Sequence, residues 1–442
     1  MRACDQQQQT AATTNSGAEA PERVNTPQGG ARPHRRGRRL LAALLSASLL
    51  GQALPAGAQA LMPGMDEAHP GFQQIKIGYV QWGKKKITLS LSQNPPDDLG
   101  VAGALSGIKD NNTTGSFTKQ QFSLTVDKVE DTDGALASLK ALHDAGVGFI
   151  VTDVPADTLL AMADSDAGKA STIFNVEAKD ERLREDDCRA NVVHVQPSYS
   201  MLADALAQYL IVKKWPRWFL LTGALPEDQL FADALKRAAT RFGGQIVEER
   251  HFDETDTARR TDSGHVQVVK QMAVFTQNAP DYDIALAADE SEIFGSYVPY
   301  RTWDPRPVAG SAGLIPTVWT PNHEQWAGYQ MQGRFYDLNH RLMFSRDANA
   351  WTAVRMVGDS ALKAKSDDTQ KIKTELFSDG FSIAAFKGQK LTIRKWNHQL
   401  RQPILLADGY TVVSVSPQEG FLHPTSLLDT MGYDEPESTC KF

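Results

Sequence analysis

The sequence predicts an α/β protein made of two doubly wound lobes, each a parallel sheet with crossover helices. Three observations carry this. Apolar runs of strand length alternate with helix-spaced stretches from Ile75 onward, the signature of parallel strands joined by helices. The alternation stops and restarts near residue 192, giving two such runs in series. The composition, 41% hydrophobic and 22% charged over 442 residues, is that of a globular chain of two or three domains.

The first run opens with a strand over Ile75 to Val80. A helix follows over Val101 to Lys109, closing on the turn-forming Asp110-Asn111-Asn112-Thr113-Thr114-Gly115. Phe122 to Val126 alternates as a strand. Ala135 to Ala145 has helical spacing, with Gly146 suited to end it. Val147 to Thr152 is a continuous buried strand, Ala156 to Ala163 a helix and Ser171 to Phe174 a strand. After a strand-like link at Val192 to Gln196, Tyr199 to Lys213 is a strong amphipathic helix. Then come strand Trp218 to Leu221, helix Asp228 to Phe242, strand Gln245 to Arg250, helix Val266 to Phe275 and strand Tyr282 to Ala288. Glu290 to Tyr297 reads as a short helix and Pro307 to Gly310 as a strand. The last third is less regular: helices over His323 to Leu342 and Asn349 to Ala364, strands over Leu391 to Lys395 and Ile404 to Ala407. Ser414 to Phe442, rich in Pro, Gly and acids, is expected to wrap the surface.

The first sixty residues differ. Residues 1–34 have no periodicity; Arg35, Arg36, Arg38 and Arg39 then lead into the apolar run Leu40 to Leu50, too short to span a bilayer. Ala58-Gln59-Ala60 fits the small-x-small cleavage rule, so an export signal cut after Ala60 is expected, with a periplasmic product. Arg38-Arg39-Leu40-Leu41 leaves the twin-arginine route open beside the general one. Cys4 leaves with the leader, and Cys188 and Cys440 remain. In an oxidising compartment they are expected to pair, a long loop contributing about 5 kcal/mol in the chain-entropy treatment.

The catalytic motifs are missing: no GxSxG, no Walker A loop, no GxGxxG after the first strand and no CxxC. His323-Glu324 lacks the second histidine of a zinc-protease motif, and Asp262-Ser263-Gly264-His265 is mere adjacency. The chain is therefore read as a non-enzyme without a resident cofactor. Asp110, Asn112, Thr114 and Gly115 match half a calcium loop, but with one charged ligand the favoured reading is a helix-ending turn. The net charge of −7, without a long charge run, speaks against nucleic acid.

In doubly wound sheets, ligands sit beyond the carboxyl ends of the strands. The candidates there are Thr152, Asp153 and Asp157; Asn175 and Glu177, with Asp180; Asp289 and Glu290, with Glu292; and Ser311. Asp253, Glu254 and Asp256 follow another strand. Helix capping accounts for part of this acidity, and the remainder makes the cleft negative. Asp153, Glu177, Asp289 and Glu290 are the candidate metal ligands, since hard cations take oxygen donors. In YRTWDPRPVAGSAGL (300–314), Arg301, Trp303, Asp304 and Arg306 fall on the amino edge of the strand and read as scaffold or partner surface. Ser311 and its small neighbours fall on the cleft side.

With export and two lobes in series, the chain resembles type I periplasmic binding proteins, such as those of branched-chain amino-acid ABC transporters. A narrower resemblance is to the substrate-binding proteins associated with PQQ-dependent alcohol dehydrogenase systems. It rests on DLGVAGALSGIKDNNTTGSF (98–117), YVPYRTWDPRPVAGSAGL (297–314), NHQLRQPILL (397–406) and SPQEGFLHPTSLLDTMGYDEPESTC (416–440). The resemblance implies a leader over 1–60, lobe one from 62–195 and 316–400, lobe two from 196–315 and 401–442, and a multi-crossover hinge near Gln196, Leu314 and Arg401. It implies an ABC permease as partner and work beside periplasmic quinoprotein oxidation of alcohols; some relatives are linked to lanthanide handling. Amino-acid binders of this fold grip an α-carboxylate on loops matching Thr152 to Asp157 and Asn175 to Ala178. The acid for an α-ammonium should fall near Ser311, where the sequence has none, so amino-acid binding is not expected. Two functions compete: a solute-binding protein whose ligand is a small, cationic or polyhydroxylated molecule or a metal ion, a trivalent lanthanide included; and a non-transporting accessory docking on a dehydrogenase through the 297–306 loop and the acidic tail.

Overall fold

A computed structural model describes residues 69–83, 94–253 and 262–442. The expected leader and its cleavage site, Cys4, Glu254 and Asp256 lie outside the described residues.

The first sheet has the order β2-β1-β3-β4-β5, all parallel, from β1 (Gln73–Trp82), β2 (Gln120–Val129), β3 (Phe149–Thr152), β4 (Thr172–Asn175) and β5 (Val192–His194). The centre of β3 and β4 is apolar on both faces because helices cover both. On one face α2 (Thr132–Asp144), α3 (Ala156–Asp164) and the single turn α4 (Asp166–Lys169) bury Leu139, Leu142, Leu159 and Met162. On the other lies α1 (Val101–Thr118). The Asp131 carboxylate accepts from the Gly134 N–H to start α2, and Gly146, at φ 78°, turns the chain just past its end.

Helix α1 corrects one expectation. It does not close at Asp110 to Gly115 but runs to Thr118, because the polar side chains there dock into neighbours instead of capping. Asp110 accepts from Trp351 Nε1, Asn111 Nδ2 donates to the Val354 carbonyl, and Asn112 exchanges two hydrogen bonds with the Phe122 backbone. The half calcium motif is therefore helical. Gly103 is required, since a Cβ there would lie 2.0 Å from the Asp347 carbonyl oxygen.

The second sheet is also parallel, in the order β7-β6-β8-β9. It contains β6 (Arg217–Thr222), β7 (Gln245–His251), β8 (Ile284–Ala288) and β9 (Val308–Gly310). Helices α5 (Tyr199–Val212) and α6 (Pro226–Phe242) pack one face, burying Leu206, Leu210, Phe231 and Leu235. Helix α7 (Asp262–Thr276) and the turn α8 (Val298–Arg301) lie on the other side, with Val268, Met272 and Val298 in that core. The short helix expected at Glu290 to Tyr297 is displaced: helical turns begin only at Gly295, because Asp289 draws the preceding backbone into a tight turn.

The chain then returns. After β10 (Ile315–Thr317), helices α9 (Gly328–Asn339), α10 (Ser345–Ala364) and α11 (Thr369–Leu376) join the first core through Phe335, Trp351, Val354 and Ile372. A small antiparallel sheet of β11 (Ile383–Ala384), β12 (Lys390–Ile393) and β13 (Leu400–Arg401) follows. Then β14 (Ile404–Ala407) and β15 (Val412–Ser416) pair antiparallel beside β10, with Ile404 and Leu406 in the second core. Buried side chains knit these passages between cores. Gln399 Nε2 donates to the His194 and Gln196 carbonyls, Gln402 Nε2 to Val195, and Lys387 Nζ to Gln402 Oε1.

The closing segment is more than a surface wrap. Val412 to Ser416 is strand β15, and Leu428 and Met431 are buried in the second core. Asp429 accepts from both Arg394 and Arg401. The tail then returns to the first lobe. The Thr439 N–H donates to Glu185, Cys440 is disulfide-bonded to Cys188 with Cα atoms 5.6 Å apart, and the Phe442 ring lies 4.4 Å from that of His398.

Candidate functional site

The carboxyl ends of both parallel sheets face one cleft of about 1120 Å³. The chain passes from strand to helix there, leaving backbone amides and short loops to face a ligand.

On the lobe-one wall, Asp153 follows β3 and is buried. Its carboxylate accepts from the Trp82 N–H at 2.6 Å and the Tyr79 hydroxyl at 3.4 Å. Burial pushes its pKa up to about 6, although Arg346 and the Trp82 N–H pull the other way. Glu177 follows β4 and takes Arg346 in a two-point pair, Nε–Oε2 at 2.9 Å and Nη2–Oε1 at 2.6 Å. Arg346 Nη1 also reaches Asp153 at 3.4 Å. Burial works against this guanidinium, but Glu177 and Asp153 outweigh it and hold its pKa above the usual value. The sequence reading missed Arg346 because it began that helix at Asn349. The helix begins at Ser345, and its first turn points at the sheet edge where Asp and Glu follow the strands.

On the lobe-two wall, Asp289 follows β8 and is 2% exposed. Its carboxylate turns inward, accepting from the N–H groups of Ile293 (2.7 Å), Phe294 (2.9 Å) and Gly295 (2.6 Å). Burial raises its pKa against those donors. Ser291 lies between it and Asp228, its one hydroxyl proton shared between the Asp228 carboxylate at 2.8 Å and the Asp289 carboxylate at 3.2 Å. Glu290, next in the chain, faces the cleft. Ser311 Oγ donates to Glu290 Oε1 at 3.2 Å and accepts from the Asp289 N–H at 3.1 Å. The expectation of no acid near Ser311 is thus corrected: Glu290 arrives there from the neighbouring strand, which linear spacing could not register. Gly310, at φ 105°, permits this turn, since a Cβ would lie 2.2 Å from the Ala287 carbonyl oxygen.

Lys179 ties the two walls together twice: its carbonyl accepts from the Tyr199 N–H at 3.0 Å, and its side chain reaches further across. Lys179, two residues beyond Glu177 on lobe one, donates to Glu290 on lobe two at 2.5 Å, and its Nζ stands 5.5 Å from the centre of the Tyr199 ring. Burial pulls this ammonium down, but Glu290 and Glu177 more than offset it, so its pKa is raised.

The other expected residues separate. Thr152 is buried in the sheet, its hydroxyl donating to the Val80 carbonyl at 3.0 Å, and does not line the cleft. Asn175 is also buried: it accepts from the Glu177 and Ala178 N–H groups and donates to the Ala178 carbonyl, shaping the loop rather than facing a ligand. Asp157 lies at the rim, 88% exposed at its side chain and paired with Arg182. Trp303 is 60% exposed and outside the cleft lining. Arg306 pairs with Asp281 at 3.0 Å rather than with Asp304.

The candidate metal set also separates. Asp153 and Glu177 surround a guanidinium, Glu290 holds an ammonium, and Asp289 is spent on backbone amides. Among the described residues no three His, Cys, Asp or Glu side chains gather to hold a metal. The cleft nevertheless carries a surplus of negative charge, nine carboxylates facing four cationic side chains along its lining. Among the described residues no helix is long and apolar enough to cross a membrane.

The sequence matches the profile of the family described as periplasmic binding protein over residues 98–409. The chain belongs to that family. No curated protein matches it. Solved structures share its fold at low identity. One is a periplasmic binding protein from Burkholderia mallei, 17% identical with TM-score 0.60, covering 83% of this chain and 98% of that one. Another is a branched-chain amino acid ABC transporter periplasmic ligand-binding protein from Burkholderia xenovorans, 18% identical with TM-score 0.61, covering 77% and 95%. A third is a solute-binding protein of an ABC transporter from Rhodopseudomonas palustris in complex with 3,4-dihydroxybenzoic acid, 11% identical with TM-score 0.57, covering 75% and 92%.

Proposed function

We propose that the protein is the periplasmic solute-binding component of an ABC transport system, closing its lobes on a small organic molecule and presenting it to a permease. The supporting observation is the cleft itself: a volume of about 1120 Å³ walled by both sheet edges and bridged by the Lys179–Glu290 pair. A space of that size, part apolar and part charged, suits a small ligand held at a few polar points. The bound ligands of similar proteins, an aromatic acid in one case and leucine in another, are small organic molecules.

At Asp153, Glu177 and Glu290 a bare metal ion would have to displace Arg346 or Lys179, and among the described residues no three acidic, His or Cys side chains gather elsewhere to hold one, so organic solutes take precedence over the cation reading. The test is calorimetric titration of the full chain with amino acids, aromatic acids, amines, calcium and lanthanum, followed by small-angle scattering. An organic ligand that shrinks the radius of gyration supports the proposal. Heat from lanthanum alone would restore the metal reading, and no heat from any compound would remove the transport role.

The link to PQQ-dependent alcohol oxidation rests on the four sequence motifs at 98–117, 297–314, 397–406 and 416–440. The second reading, an accessory docking on a quinoprotein dehydrogenase, is favoured by one observation. Tyr300 and Trp303 are 87% and 60% exposed on lobe two, away from the cleft, and aromatic side chains are enriched at interfaces. Co-purification with a periplasmic dehydrogenase, lost on Trp303→Ala, would favour it.

A further inference from the structure

The C-terminal tail is held by both lobes, and the chain between the two holds is short. The lobe-two hold is buried. Leu428 and Met431 lie in the second core, and the Gly432 N–H donates to Asp204 of α5 at 2.8 Å. The Gly432 carbonyl accepts from Arg237 and Arg241 of α6 at 3.2 and 2.7 Å. Glu437 prolongs that hold, accepting from Arg241 at 3.1 Å. Three residues later the tail is on lobe one. Cys440 is bonded to Cys188, and Glu185 accepts from the Thr439 N–H at 2.6 Å and the Ser438 hydroxyl at 3.3 Å. This second station, between β4 and β5, is itself fixed to lobe one. Leu183 is in the core beneath α2 and α3, and Arg189 grips Asp164 of α3 through Nε at 2.6 Å and Nη2 at 3.0 Å.

Chain length sets the limit. Three extended residues reach about 11 Å, so while Glu437 stays on Arg241 its Cα remains within that distance of the Cys440 Cα. If this partly exposed pair yields, the tether lengthens back to Gly432, eight residues or about 28 Å, and the covalent bond permits nothing more. The other ties along this seam are reversible. The Tyr199 N–H donates to the Lys179 carbonyl at 3.0 Å, the Ser200 hydroxyl donates to Glu181, and the Phe442 ring rests 4.4 Å from that of His398. We propose that the tail is a covalent clasp across the seam between the lobes, confining their hinge motion to a narrow range of angles. Hydrogen bonds alone would let the seam peel open and reseal; the Cys188–Cys440 bond turns a contact into a stop. The clasp goes beyond the solute-binding reading and is independent of it, since it concerns how far the lobes move and not what the cleft holds.

The test compares the ligand-free protein with the double variant Cys188→Ser, Cys440→Ser, which removes the bond and leaves no free thiol at either end. A second route to the same state is the wild type treated with a phosphine reductant. Circular dichroism establishes that each is folded at the temperature used. Small-angle scattering then reads the spread of the lobes, and hydrogen exchange reads the seam. Both unclasped forms are expected to show a larger radius of gyration than the wild type. The Tyr199 amide, which bridges the seam, is expected to exchange about tenfold faster in them, while Ile150 and Leu220, buried at the centres of the two sheets, keep their wild-type rates. An unchanged radius with unchanged exchange at Tyr199 overturns the proposal. Equal acceleration at Tyr199, Ile150 and Leu220 overturns it too, because the bond then stabilises the whole fold and not the angle between lobes. Outright unfolding by both routes overturns it for the same reason. None of these outcomes bears on the solute-binding reading, whose test is the titration above.

Discussion

The two walls of the cleft keep carboxylates out of water by different means. On lobe one, charge is held by charge: Asp153 and Glu177 share Arg346, and the arrangement depends on three side chains from three distant segments. On lobe two, charge is held by the backbone: Asp289 is satisfied by three successive N–H groups within six residues of itself. The first arrangement responds to protons and to ligands, because any of its members can be neutralised or displaced. The second is part of the local fold, and removing its carboxylate leaves several buried donors unmet.

That contrast can be broken most forcefully at Asp289. Asp289→Ala should lower stability by about 4 kcal/mol, since three amide donors lose their acceptor at once, and Asp289→Asn should recover part of it. Urea unfolding reads this directly, and a loss under 1 kcal/mol would mean that water takes over the carboxylate's role.

Asp153 sharpens the comparison through pH. Its pKa is 3.8 in the reference state and about 6 in the folded protein, raised by burial. The folded state therefore holds that proton more tightly than the unfolded chain, and stability falls as pH climbs between these values. Relative to Asp153→Asn, the wild type should lose about 2 kcal/mol between about pH 4 and about pH 7. Parallel stability curves for the two proteins would show that Arg346 fully compensates the burial.

A smaller effect is expected from Arg346→Met. It leaves Asp153 buried without its cation, but Asp153 can take up a proton and Glu177 is 30% exposed, so the loss should be about 2 kcal/mol. Adding Asp153→Asn should return much of it, and a double-mutant cycle measures the coupling. Least of all, Asp157→Ala should leave the melting temperature unchanged, because its pair with Arg182 sits in solvent.

The sheets were legible because β3 and β4 are continuous apolar runs and each is followed by a helix with clear spacing. The end of α1 was not, because Asp110, Asn111 and Asn112 look like a turn until α10 and β2, far away in sequence, supply their partners. The short strands β10 and β15 also escaped, being three and five residues long and held by pairing with β14 rather than by a pattern of their own. At the cleft, the sheet-edge rule found the acids but not what neutralises them. Lys179 is two residues from a named candidate, and Arg346 lies 169 residues from Glu177. A count of charges after each strand weighs only one side of the pairs that form in space. Asn175 and Thr152 were named for their position, yet position puts a side chain either in the cleft or inside the sheet, and both fall inside.

The Cys188–Cys440 bond gives the molecule an unusual covalent topology. Nearly all of lobe two, and the whole return through lobe one, lie between its two ends. A protease that cuts once anywhere in that span opens a ring rather than releasing a piece. Such a nicked protein should migrate as one species on a denaturing gel and as two only after a reductant is added. A binding protein with this closure can survive a clipped surface loop with both halves still attached.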